Sequence, residues 1–217
     1  GGYRSVVVLV SALSMIGPVY YIEKYSKQPI LSMWLYITMS FFTWTFTIYR
    51  QAIAISFMLI AYSFAQEKKP IKFLSFLLLA TGFHDLSILL IIVYPLLNIQ
   101  WIKRIWLYLS TIIVICFVAL RKYLIVLVNS VQNLLSERFL YYDLNDVKMD
   151  GETLLFVYFL VFLFVIICLC KRKQLFYRQI LLLSSSFMVI CQAIATAFPL
   201  ANRMGLFFAV TTFLLFP

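Results

Sequence analysis

The sequence predicts an all-α fold, a polytopic bundle of transmembrane helices with about seven to nine membrane segments. Three observations predict it. Hydrophobic residues make up 64% and charged residues 12% of the 217 positions, with a mean hydropathy of +0.99. A water-soluble domain carries about 25% charged residues, twice what this chain has to coat itself with. Apolar stretches of membrane-crossing length alternate with short clusters of Lys and Arg. No period-two alternation of barrel strands is present, and lipid offers free backbone groups no partner, so the spans are helices.

In chain order the apolar segments fall at 5–22, 30–49, 51–65, 71–97, 105–120, 154–170, 174–198 and 205–216. Nothing resembling a linker, a low-complexity tract or an internal repeat separates them, so residues 1–217 read as a single membrane domain. The longest polar stretch is 136–153, with Tyr141, Tyr142, Asp143, Asp146, Asp150 and Glu152. Before it, 123–135 is apolar but interrupted by Asn129, Ser130, Gln132 and Asn133, which suits a helix lying in the interface. Together 121–153 is expected as a loop at the outer face. The chain opens on Gly1-Gly2-Tyr3 without a Met and stops at Phe216-Pro217 within an apolar run, so it reads as a piece of a longer protein.

The net charge of +10 would suggest nucleic acid in a soluble protein. Here the basic residues cluster between apolar stretches, as cytoplasmic loops do, and a nucleic-acid partner is excluded. Lys68, Lys69 and Lys72 mark one cytoplasmic loop (66–72); Lys171, Arg172 and Lys173 mark another (171–173); Lys24 and Lys27 fit the same side. Parity then places Arg50 at the outer end of 51–65 and Arg203 at the outer end of 174–198. Cys116, Cys168, Cys170 and Cys191 lie in apolar stretches, where Cys behaves as a small hydrophobe. None has metal-site spacing with the single histidine, and neither a disulfide framework nor a metal is expected.

Segment 71–97 admits two readings. As one helix it would be about 40 Å long, against a hydrocarbon core of about 30 Å, with His84 and Asp85 near its middle. Alternatively it breaks at Gly82-Phe83-His84-Asp85 into a hairpin with His84 at the outer tip and Asp85 capping the returning helix. The hairpin is preferred, because the long helix would force the short, polar 123–135 to cross.

Under the hairpin reading Arg50, His84 and Arg203 all reach the outer face, each before an inward-running helix. Helix N-termini favour anions, and an arginine placed there is unfavourable unless an anion lies between. Two arginines beside a histidine describe a diphosphate site, and the guanidinium fork suits phosphate oxygens. Bland readings stand beside this one. Arginines near helix ends snorkel to headgroups, and a lone membrane histidine commonly bonds backbone. The hydroxyls of 30–49 (Ser32, Thr38, Ser40, Thr43, Thr45, Thr47) and of Ser184, Ser185, Ser186 and Thr196, with Gln192, either line a polar groove or permit close packing.

The run Tyr49-Arg50-Gln51-Ala52-Ile53-Ala54-Ile55, then Lys72-Phe73 to Ala80, then Phe83-His84, resembles the EpsG/Wzy-type polysaccharide polymerase family. That family shows an R-Q-x-(I/L)-A helix start, a short basic turn and an L-A-x-x-F-H segment. Asn202-Arg203-Met204-Gly205-Leu206-Phe207-Phe208 is similar to its R-x-x-x-(Y/F)-F segment. The resemblance covers 50–95 in detail and 154–217 in pattern. Asp85-Leu86-Ser87 departs from the small hydroxyl residue and alanine that often follow the histidine.

The resemblance implies a glycosyltransferase that joins undecaprenyl-diphosphate-linked repeat units at the outer face of the bacterial cytoplasmic membrane, with no cofactor. It implies His84 as the catalytic base or acceptor-positioning group and Arg50 and Arg203 on the diphosphate. Gln51 and Asp85, their sequence neighbours, are the supporting candidates. Expected partners are the lipid-linked donor and acceptor, membrane lipids, and the flippase and chain-length regulator proteins of such pathways. Two readings from other classes stay open. A transporter or flippase of the same lipids would show an inverted repeat, and a membrane O-acyltransferase would want His84 at mid-depth.

Overall fold

The computed structural model describes residues 2–99, 105, 108–120, 123, 126, 151–171, 178–195 and 200–215, and its regular elements are helical. They are α1 (Gly2–Tyr25), α2 (Pro29–Thr38), α3 (Trp44–Thr47), α4 (Tyr49–Gln66), α5 (Pro70–Phe83), a 3₁₀ helix (Asp85–Ile92) and α6 (Val93–Asn98). After these come α7 (Tyr108–Leu120), α8 (Gly151–Lys171), α9 (Arg178–Ala195) and α10 (Leu200–Leu215). Among the described residues one helix, Arg4–Tyr25, is long and apolar enough to cross a membrane by length and composition, and shorter apolar helices follow it. The 127–150 stretch, with the acidic loop, lies outside the described residues. So do Lys103, Arg104, Arg121, Lys122, Arg172 and Lys173.

The chain forms two compact units. The first comprises Gly1–Ile105, Gln179–Leu181 and Val210–Pro217; the second comprises Trp106–Arg178 and Leu182–Ala209.

In the first unit α1 and α4 run parallel, because their contacts advance together along both helices. The Gly17 N–H donates to Ser56 Oγ at 2.8 Å, Tyr20 Oη meets Ser63 Oγ at 3.3 Å, and Lys24 reaches Glu67. Gly17 is required by this approach: a Cβ there would lie 2.0 Å from the Ser56 carbonyl oxygen. At the far end Lys24 Nζ also donates to Ser63 Oγ at 2.7 Å, and Lys69 Nζ lies 2.7 Å from Glu67. These two ammonium groups, Lys24 first, hold the Glu67 carboxyl below its ordinary range. Lys24 and the 66–69 turn therefore gather at one end of the unit, and Arg50 lies at the other.

Parallel α1 and α4 oblige 26–48 to return between their ends, as expected of segment 30–49, but not as one helix. α2 stops at Thr38, Ser40 adopts a left-handed φ of 62°, and α3 is a single turn. Thr38 Oγ1 bonds Trp34 O at 2.9 Å and Thr43 Oγ1 bonds Ser40 O at 2.6 Å. Ser32 Oγ instead bonds Leu214 O at 2.9 Å, and the Phe41 and Phe213 rings pack 5.6 Å apart. These hydroxyls serve local bonding and packing.

Segment 71–97 breaks where the hairpin reading places the break. α5 closes with His84 N–H bonded to Ala80 O at 2.9 Å, and His84 is extended (φ −148°, ψ 109°). The chain then folds back, bringing Tyr94 within 5.3 Å of Phe73 and Asn98 Nδ2 within 3.0 Å of Ala65 O near the Lys24 end. Two details differ from expectation. The returning arm begins as a 3₁₀ helix, and its N-cap is His84 with no side-chain cap bond; Asp85 is instead the first helical residue. A carboxylate in the first turn still interacts favourably with the helix dipole.

In the second unit α8 buries Leu155, Tyr158, Phe162, Val165 and Leu169 while exposing Phe156, Leu160, Phe164 and Ile167. Both faces are apolar. α9 and α10 pack closely: the Phe187 and Phe208 rings stack at 5.0 Å, and a Cβ at Gly205 would lie 3.3 Å from Cys191 Cβ. Ser185 and Ser186 bond carbonyls of their own helix, at 3.1 and 2.9 Å, which favours the packing role over a polar groove. Cys116, Cys168 and Cys191 are free thiols.

Candidate functional site

Arg50, Phe57 and Phe64 recur every seven residues, a spacing that keeps them on one stripe of α4. Ring contacts show where that stripe faces. Phe57 lies 5.8 Å from Phe83 and 6.4 Å from Phe76, and Phe64 lies 5.4 Å from Phe76. The face that carries Arg50 is therefore the face packed on α5, and the two helices are antiparallel.

α5 ends at Phe83, the partner of Phe57. Arg50 stands seven residues further along α4, about 10 Å of helix rise. The result is a step. The exposed Arg50 lies at its top, and the half-buried His84 with the exposed Asp85 lies at its foot. Open space adjoins the foot, since a Cβ at Gly82 would meet nothing within 4 Å. Arg50 and His84 thus lie at the same end of the α4–α5 pair, with the end of α5 stopping short of the start of α4. α5 is 14 residues long against 18 for α4, so the hairpin tip is recessed.

The electrostatics of the upper edge favour an anion. α4 begins at Tyr49 with Ile48 as N-cap, no side-chain cap bond and no acidic residue in the first turn. Among the described residues no side-chain bond caps its positive end, and Arg50 adds a full charge beside it. Arg50 lies inside that first turn rather than ahead of it. Gln51 is buried at 3% exposure.

Arg203 lies in the second unit. It is exposed, in the first turn of α10 rather than before the helix, and that turn holds no acidic residue. Among the described residues no group of three or more His, Cys, Asp or Glu side chains could hold a metal ion.

Sequence reasoning missed the four phenylalanines. The signal was available: Phe57 and Phe64 are seven apart on α4, and Phe76 and Phe83 are seven apart on α5, each set on a single stripe.

No curated protein and no solved structure matches the chain. The family model described as EpsG matches residues 1–217, the full length. The chain belongs to the EpsG family, membrane proteins linked to polysaccharide synthesis.

Proposed function

We propose that this chain is a multi-pass polysaccharide polymerase of the bacterial cytoplasmic membrane, joining repeat units carried on a polyprenyl diphosphate at the outer face. The observation that carries the reading is an exposed arginine in the first turn of a helix with no side-chain cap, at the same end of the α4–α5 pair as the histidine that closes α5. Membrane embedding is supported by α8, whose Phe156 and Ile167 are 61% and 54% exposed opposite an equally apolar buried face. A helix apolar all round is buried in protein or in lipid. The positive-inside rule gives the Lys24–Lys69 end to the cytoplasm and the Arg50 end to the outer side.

The chemistry is displacement at an anomeric carbon. An acceptor sugar hydroxyl attacks that carbon, its proton passes to His84, and the bond from carbon to the diphosphate oxygen breaks. Charge grows on the departing diphosphate. Arg50 and the α4 N-terminus lie where they would stabilise it without reorganising. A near-neutral imidazole suits the proton transfer. Asp85, a carboxylate at the foot, would accept hydrogen bonds from acceptor hydroxyls. Arg203 keeps the diphosphate role that the family pattern gives it.

The test is polymer-ladder analysis of a deletion strain complemented with His84 variants. A general base contributes about a hundred- to ten-thousand-fold in rate. His84→Ala should abolish the ladder while single lipid-linked repeats accumulate in the outer leaflet. Repeats trapped on the cytoplasmic side would indicate a transporter instead. His84→Gln should fail nearly as badly; normal polymer from it would remove the base role.

A further inference from the structure

We propose that the phenylalanine seam between α4 and α5 is a furrow that holds the polyprenyl chain of the lipid diphosphate, an inference that rests on reading Arg50 as the diphosphate residue. From Gln51 to Ala65, every residue of α4 is buried except Phe57 and Phe64, which are half-buried. The opening in this otherwise covered helix therefore follows the stripe headed by Arg50. α5 supplies the other wall with Phe76 and Phe83, also half-buried, and the four rings touch in sequence from Phe83 through Phe57 and Phe76 to Phe64. At the far end Lys72 Nζ lies 5.5 Å from the Phe64 ring centroid and closes the seam with a charge.

The dimensions and chemistry agree with one occupant. Fourteen residues of α4 separate Arg50 from Phe64, about 21 Å of rise, or roughly two-thirds of a hydrocarbon core of about 30 Å. A cation sits at the outer end and a run of apolar rings begins seven residues further along the same stripe, so a ligand with an anionic head and a long apolar tail matches both parts. Flat, polarisable rings suit a methyl-branched isoprenoid chain, which lies against them without a fixed register.

The test is photo-crosslinking of the purified protein in nanodiscs with a polyprenyl diphosphate bearing a diazirine in its isoprenoid chain, the labelled peptides being mapped by mass spectrometry. Labelling is expected within 57–83, competed by unlabelled polyprenyl diphosphate and not by dioleoylphosphatidylglycerol. Phe57→Leu or Phe76→Leu should weaken labelling about two- to tenfold, the worth of a ring contact beyond its area, while Phe76→Trp should retain it. If a Leu variant does not fold, the wild-type crosslink map decides by itself. Saturable labelling confined to other segments would overturn the furrow while leaving the polymerase reading intact. Equal competition by phosphatidylglycerol would reduce the seam to an ordinary lipid contact and overturn it as well. Absence of any saturable labelling would overturn both the furrow and the lipid-diphosphate reading beneath it.

Discussion

Replacing Gly17 by alanine tests the scaffold that holds Arg50. The new Cβ would lie 2.0 Å from the Ser56 carbonyl oxygen and 2.5 Å from the Ser56 carbonyl carbon and Cα. An unstrained contact with carbon needs about 3.5 Å, so α1 and α4 must separate locally by about 1.5 Å. Both sides of the clash are backbone, and no rotamer change relieves it. Overpacking of this kind costs about 1–3 kcal/mol. The separation also stretches the 2.8 Å bond from Gly17 N–H to Ser56 Oγ, a further loss of about 1 kcal/mol. Alanine recovers about 1 kcal/mol through helix propensity, which leaves a net loss of about 1–3 kcal/mol. At about 2–4 °C per kcal/mol for a chain of this size, the thermal midpoint should fall by about 2–12 °C. The assay is loss of the monodisperse gel-filtration peak of the detergent-purified protein on heating. Gly82→Ala is the control: nothing lies within 4 Å of its Cβ, so its midpoint should hold or rise slightly. A Gly17→Ala protein that melts at or above the wild-type temperature would refute the close α1–α4 crossing.

If Arg50 grips a diphosphate through its fork, Arg50→Lys should lose most polymer at matched expression, and Arg203→Lys tests the role assigned from sequence in the same assay; normal ladders from both would leave only snorkelling. A cysteine at position 84 in a Cys-free background should react with a membrane-impermeant thiol reagent added outside, and reaction with a permeant reagent alone would overturn the outward-facing tip. Lys24 and Lys69 depress the Glu67 carboxyl, so its contribution to stability is present above the ordinary value of about 4.5 and is lost as pH falls below it through the depressed folded value. The thermal midpoint of wild type should therefore exceed that of Glu67→Gln near neutral pH and converge with it in acid; a gap that stays constant with pH would remove the ionic account.

The composition by itself determined the all-α class, because 64% hydrophobic and 12% charged residues cannot coat a soluble surface and lipid admits few backbone solutions. The break at His84 was legible as well. An ionisable pair at the centre of an overlong apolar run is costly, and a turn there relieves both problems. The candidates for a site were legible only as residue types, because Arg50 precedes a long apolar run and His84 is the single histidine. Tertiary structure decided three things that one-dimensional pattern does not encode. It split 30–49 after Thr38, where Ser40 turns the backbone left-handed, a local event that hydropathy does not register. It set the hairpin tip short of the start of α4, because relative depth depends on which residues of two antiparallel helices pair, here Phe57 with Phe83. It also turned four ordinary core-type phenylalanines into a seam, because burial depends on neighbours: the rest of α4 between Gln51 and Ala65 is covered, and only the stripe beneath Arg50 opens.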